Sequence, residues 1–124
     1  MILSTGIDIV EIATIKRIFN KCPVKFMNRV FVKSEIDYCE NRFNKYQHYA
    51  ARFAVKEAVM KALGCGWISS VQFKMIEVIN FATGQPNVQL HGSAWDLFKN
   101  QGFKNISVSI SHSESYAIAY VIFS

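Results

Sequence analysis

The chain has 124 residues, 51% of them hydrophobic and 19% charged, and carries a net charge of +5. That length suits one domain, residues 1–124, with a core of its own, and the composition excludes disorder and low-complexity structure. No apolar stretch reaches the ~18 uninterrupted residues of a membrane span.

Ile2–Val10 is apolar and β-branched up to Asp8, the pattern of a buried strand. Ile12, Ile15, Ile18 and Phe19 recur at helical spacing until Pro23. A short segment from Pro23 to Val32 carries Phe26, Val30 and Phe31, with Lys25 and Arg29 one turn apart. Ser34-Glu-Ile-Asp37 has the form of a capping box with Asp in the third position. After a polar connection, Asn41–Tyr46, the longest helix is expected from Gln47 to Leu63, ending at Gly64. Val71, Phe73 and Met75 alternate as in a strand, Thr83-Gly84-Gln85-Pro86 is a turn, and Asn87–His91 returns. Ser93 is placed to cap a helix through Asn100, closed by Gly102. Ile106–Ile110 and Tyr116–Phe123 complete the chain as two strands joined across Ser111–Ser115. The expected order is βαααββαββ, an α+β domain with a mostly antiparallel sheet against a long central helix.

The charge is unevenly placed. Residues 1–62 hold 11 Lys/Arg against 6 Asp/Glu, and residues 63–124 hold 3 against 3. Lys16, Arg17, Lys21, Lys25, Arg29 and Lys33 lie in a stretch, Ile12 to Ser34, without an acidic residue. This is either a solvated basic surface or a docking surface for something acidic. Cys22, Cys39 and Cys65 form no C-x-x-C pair, which argues against zinc. Without a signal-peptide pattern the expected location is the cytoplasm, with thiols reduced.

Two carboxylates stand in apolar surroundings. Asp8 has the spacing of a helix N-cap with Glu11 as its reciprocal partner, and Glu57 that of a surface pair with Lys61. If Asp8 and Glu57 meet, their repulsion calls for a shared proton or a hard cation, and oxygen ligands favour Mg²⁺. Lys61 would then face phosphates held by that cation. Gly64-Cys65-Gly66 is either a plain cap and turn or a phosphate approach, and His112 either a structural hydrogen-bonder or a phosphate contact.

Gly6-Ile-Asp8-Ile-Val-Glu11, Arg52-Phe-Ala-Val-Lys56-Glu57-Ala-x-x-Lys61-Ala-Leu-Gly64-x-Gly66, Gly84-Gln-Pro86 and Ser109-Ile-Ser-His112-Ser occur in that order. Together they resemble the holo-[acyl-carrier-protein] synthases, the small bacterial 4'-phosphopantetheinyl transferases, across essentially the whole chain. Ser4, Leu63 and Cys65 stand where the family more often has Gly, Phe and Thr. The resemblance implies transfer of 4'-phosphopantetheine from coenzyme A to a serine of apo acyl carrier protein. It implies Mg²⁺ on Asp8 and Glu57, with Lys61 on the phosphate under attack. Arg52, Gly64, Gly66, Gly84, Pro86, Ser111 and His112 would line the coenzyme A site. Arg17, Lys25, Phe26 and Arg29 would dock the acidic carrier protein, and the enzyme would be a homotrimer with active sites between subunits. A small nucleic-acid-binding domain is the competing reading of the basic stretch, but it leaves Asp8 and Glu57 unexplained. The expectation is therefore no nucleic acid and no membrane among the partners.

Overall fold

The computed structural model describes residues 3–64 and 70–124. Strand β1 (Ser4–Glu11) is followed by four helices, α1 (Ile12–Lys21), α2 (Pro23–Val30), α3 (Lys33–Glu40) and α4 (Lys45–Leu63). A hairpin of β2 (Ile76–Asn80) and β3 (Pro86–Leu90), helix α5 (Gly92–Asn100), and strands β4 (Ile106–His112) and β5 (Tyr116–Phe123) complete it. β1 and β4 flank β5 in an antiparallel sheet, with Asp8 and Ile110 both opposite Ala119. The architecture is the expected α+β one, with one helix more than the order written above. Pro23 accounts for it: without an amide hydrogen it cannot continue α1, but it occupies the first turn of α2.

Helix α4 crosses β1 and β5 and forms the centre of the molecule. Ala50, Ala54, Ala58 and Ala62 recur every fourth residue and are buried, and Ala117 and Ala119 on β5 are buried too. Small side chains on both surfaces let the helix lie close to the sheet. Phe19 and Phe31 close against Tyr49 at ring distances of 4.5 and 5.0 Å, tying α1 and the α2–α3 junction to α4. Phe98, Phe103 and Phe123 seal the opposite side, with the Phe98 and Phe123 rings 5.1 Å apart.

Several expected details change, each because a longer-range partner prevails. Phe73–Met75 is a 3-10 turn, and the strand begins at Ile76. The turn forms because the buried Lys56 ammonium takes the carbonyls of Phe73 and Ile76, at 3.0 and 2.6 Å. Asp8 is not a helix cap; it lies inside β1, and Glu11 precedes α1 without a side-chain capping bond. At α3 the Val32 amide donates to the Glu35 carboxylate, while the Ser34 hydroxyl donates to Glu77 instead. His91 rather than Ser93 precedes α5, since the Ser93 hydroxyl turns to the Ser70 carbonyl and the Met75 sulfur. β4 extends through Ser111 and His112, which pair with Ile118 and Ala117.

The fully buried Glu35–Lys56 pair joins α3, α4 and β2, with Nζ 2.8 Å from Oε1. Lys56 spends its three donors on Glu35, Phe73 and Ile76, while Glu35 accepts the amides of Val32 and Val78. Removing one partner strands the other charge in the interior. Lys56→Met is therefore expected to lower unfolding free energy by about 3–5 kcal/mol, read from urea denaturation.

Candidate active site

Gly6, Asp8 and Val10 alternate on the face of β1 that turns toward α4. A Cβ at Gly6 would overlap the Ala58 carbonyl and press on the Ala62 amide, so only glycine allows this approach. Ser4, next on the same face, donates from its hydroxyl to the Ala62 carbonyl at 2.6 Å. With helix and strand in backbone contact, Asp8 meets the turn of α4 that carries Glu57 and Lys61.

Lys61 Nζ lies 3.0 Å from Asp8 Oδ1 and 2.9 Å from the Ile7 carbonyl. The ammonium has thus gone to β1 instead of pairing along the helix with Glu57. The Asp8 side chain is 17% exposed and that of Lys61 55%. Burial, and next the charge of Asp8, raises the Glu57 pKa above its ordinary range, with Lys61 opposing. Two carboxylates and a cation therefore form one electrostatic unit. No cluster of three or more His, Cys, Asp or Glu exists among the described residues; what Asp8 and Glu57 offer is carboxylate oxygen, the donor type that hard cations take.

A second group forms nine residues earlier on α4, about 13 Å along the helix axis. Arg52 is buried, and its Nη2 donates to Asn80 Oδ1 at 2.6 Å. Asn80 Nδ2 donates in turn to the Gly84 carbonyl at 3.0 Å, and Asn80 faces Pro86 across the hairpin. Arg52, Gly84 and Pro86 are thus joined through a residue that sequence reasoning missed. The Arg52 guanidinium lies 3.9 Å over the Tyr38 ring, and that of Arg42 4.1 Å over the same ring. His48 meets Tyr38 edge-on, and burial followed by the charges of Arg52, Arg42 and His112 lowers its pKa. Ser111 and His112 are exposed at the end of β4. Gly64 caps α4 at φ 74°, and Gly66 lies outside the described residues. Tyr38, Arg42 and Asn80 have no motif of their own; the spacing of Tyr38 and Arg42 was the available signal.

Arg17 on α1 and Lys25 and Arg29 on α2 are exposed. Phe26 is half-buried, its ring 5.2, 5.8 and 6.0 Å from Phe19, Phe31 and Phe53, so it also anchors α2.

A family model described as the 4'-phosphopantetheinyl transferase superfamily matches residues 4–121. The chain belongs to this family. Among curated proteins, the transferase is 43% identical over 122 residues to holo-[acyl-carrier-protein] synthase of Solibacter usitatus, covering 98% of both chains. It is 46% identical over 120 residues to that of Ruminiclostridium cellulolyticum, covering 96% of this chain and 90% of that protein. Among solved structures, the Helicobacter pylori synthase in complex with coenzyme A aligns with a TM-score of 0.85 at 34% identity, over 97% of this chain and 99% of that one. The Neisseria meningitidis synthase aligns at 0.89 with 29% identity, over 98% and 97%.

Because the Glu57 pKa in the folded transferase exceeds the ordinary 4.5, the folded chain binds the proton more tightly than the unfolded one. Stability then falls as pH rises from 4.5 through the folded-state value. In chelator, Glu57→Gln is expected to be more stable than the parent at neutral pH, with the difference closing below pH 4.5; urea midpoints across pH check this.

Proposed function

We infer that the transferase moves the 4'-phosphopantetheine group of coenzyme A onto a serine of apo acyl carrier protein, releasing adenosine 3',5'-bisphosphate. The observation that carries this reading is the meeting of Asp8, Glu57 and Lys61, on a chain so similar to curated holo-[acyl-carrier-protein] synthases. Residues 1–124 act as one catalytic domain, in keeping with a family match that spans 4–121.

In the reaction the serine oxygen forms a bond to the phosphorus carrying pantetheine, and the phosphorus–oxygen bond to the nucleotide breaks. Asp8 and Glu57 would hold Mg²⁺, and the two-carboxylate donor set fits that ion. When bound, Mg²⁺ supplies charge neutralisation at the pyrophosphate. Lys61, whose side chain is more exposed than that of Asp8, contacts the phosphate under attack and offsets charge as it builds. The serine proton needs an acceptor, and the ionised Glu57 carboxylate, its proton affinity raised by burial and by Asp8, is this chain's own candidate. The group around Arg52, with Gly84, Pro86, Ser111 and His112, receives the nucleotide end of coenzyme A, its cations matched to phosphate. Gly64, at the end of α4, would let backbone approach the donor near Lys61, and the resemblance gives Gly66 a part in the same site.

We further propose that each complete site draws on two copies of the chain in a homotrimer. One chain carries the two groups at separate points of α4, and the sheet face turned away from α4 is apolar and open. Ile7 and Ile9 are 56% and 58% exposed, and their cross-strand neighbours Tyr120 and Ile118 are exposed beside them. A contiguous apolar patch of this kind favours a subunit contact. The acidic carrier docks on Arg17, Lys25, Arg29 and the accessible edge of Phe26. The reaction belongs in the cytoplasm, where thiols stay reduced; among the described residues no helix is long and apolar enough to cross a membrane.

Mass spectrometry of an apo carrier protein incubated with enzyme, Mg²⁺ and coenzyme A is expected to show the gain of one phosphopantetheine. No gain with folded enzyme and a cognate carrier refutes the reading. Glu57→Ala should abolish transfer with an unchanged circular dichroism spectrum. Arg29→Glu should weaken carrier binding roughly tenfold and leave coenzyme A affinity intact in calorimetric titration. Ile9→Arg should shift the species seen in sedimentation to monomer, with loss of transfer.

A further inference from the structure

We propose that Lys61 is a built-in counter-cation for Asp8 that a divalent cation must displace, so that the cation and a phosphorylated donor bind cooperatively. The proposal rests on the reading of Asp8 and Glu57 as cation ligands and concerns what occupies Asp8 beforehand.

Lys61 bridges two acceptors on β1, Asp8 Oδ1 at 3.0 Å and the Ile7 carbonyl at 2.9 Å. Asp8 is held in a strand paired with β5 and packed under α4, and its side chain is mostly covered. Lys61 is over half exposed at the end of a flexible stem. Of the two, only Lys61 has freedom to leave. A dication seeking Asp8 at the usual distance of about 2 Å meets an ammonium against the same oxygen. The two like charges cannot share that acceptor without strong repulsion.

The alternative is equally unfavourable: with Lys61 removed and no cation present, Asp8 faces Glu57 as two neighbouring carboxylates. The ammonium therefore stabilises the empty site and opposes its filling. A phosphorylated donor changes the balance. Its phosphate oxygens give Lys61 a new anionic partner, which frees Asp8, and they offer the cation ligands the protein lacks. Each ligand then raises the other's affinity by the same factor, as linkage requires. Neither the cation alone nor the donor alone would fill the site well.

The test uses Mn²⁺ as the probe, titrated into the intact enzyme by electron paramagnetic resonance, without and then with coenzyme A. Lys61→Met is expected to bind Mn²⁺ about tenfold more tightly than the parent without coenzyme A, and Lys61→Arg to resemble the parent. Coenzyme A should enhance Mn²⁺ binding several-fold more in the parent than in Lys61→Met. Equal or weaker Mn²⁺ binding by a folded Lys61→Met overturns the proposal. Asp8→Asn separates the two levels. If it abolishes Mn²⁺ binding while Lys61→Met has no effect, the cation site stands and only the competition fails. If Mn²⁺ binding is indifferent to Asp8→Asn, the assignment of the ligands fails and the proposal with it.

Discussion

The close approach of β1 to α4 at Gly6 is the constraint on which the site depends. A single Cβ there would occupy the space of the Ala58 carbonyl. The Ala50–Ala62 row on α4 and the paired alanines of β5 extend the same small-on-small surface. Because strand side chains alternate and helix side chains return every fourth residue, that contact brings Asp8 to Glu57 and Lys61. An Ala-rich helix seam that looks like plain packing thus also sets the geometry of the charged groups.

Lys56 and Glu57 show how sharply one helix divides its tasks. They are adjacent in sequence, yet a helix turns each residue about 100° from the last. Lys56 is fully buried and paired with Glu35, holding β2 and the 3-10 turn against α4. Glu57 faces β1 and shares its field with Asp8 and Lys61. By fixing β2, the buried pair also fixes Asn80, and through it the link from Arg52 to Gly84. The interior ion pair therefore supports the second cationic group.

Positive charge serves different purposes in different places. On α1 and α2 the cations are exposed and carry no acidic neighbour in sequence, which suits steering of an acidic protein. Around Tyr38 two guanidiniums stack on one ring, the exposed Arg42 and the buried Arg52, which keeps its edge for a directed bond to Asn80. Lys61 stands between these cases, ion-paired but over half exposed. The proposed homotrimer would bring these regions from neighbouring copies to one substrate.

The ordered motifs, the helix ending at Gly64 and most strands were legible in the sequence, because they rest on periodicity and on local chemistry such as the left-handed cap. The basic character of the first helices was legible for the same reason. Tertiary structure alone decided which partner each polar group takes. Lys61 bonds Asp8, 53 residues away, instead of Glu57 one turn back. Lys56 draws the Phe73–Met75 segment out of strand geometry, and Tyr38 gathers, besides the nearby Arg42, an Arg52 from another helix that no spacing rule joined to it. These outcomes turn on contacts between distant segments, whose distances the chain acquires only when α4 settles on the sheet.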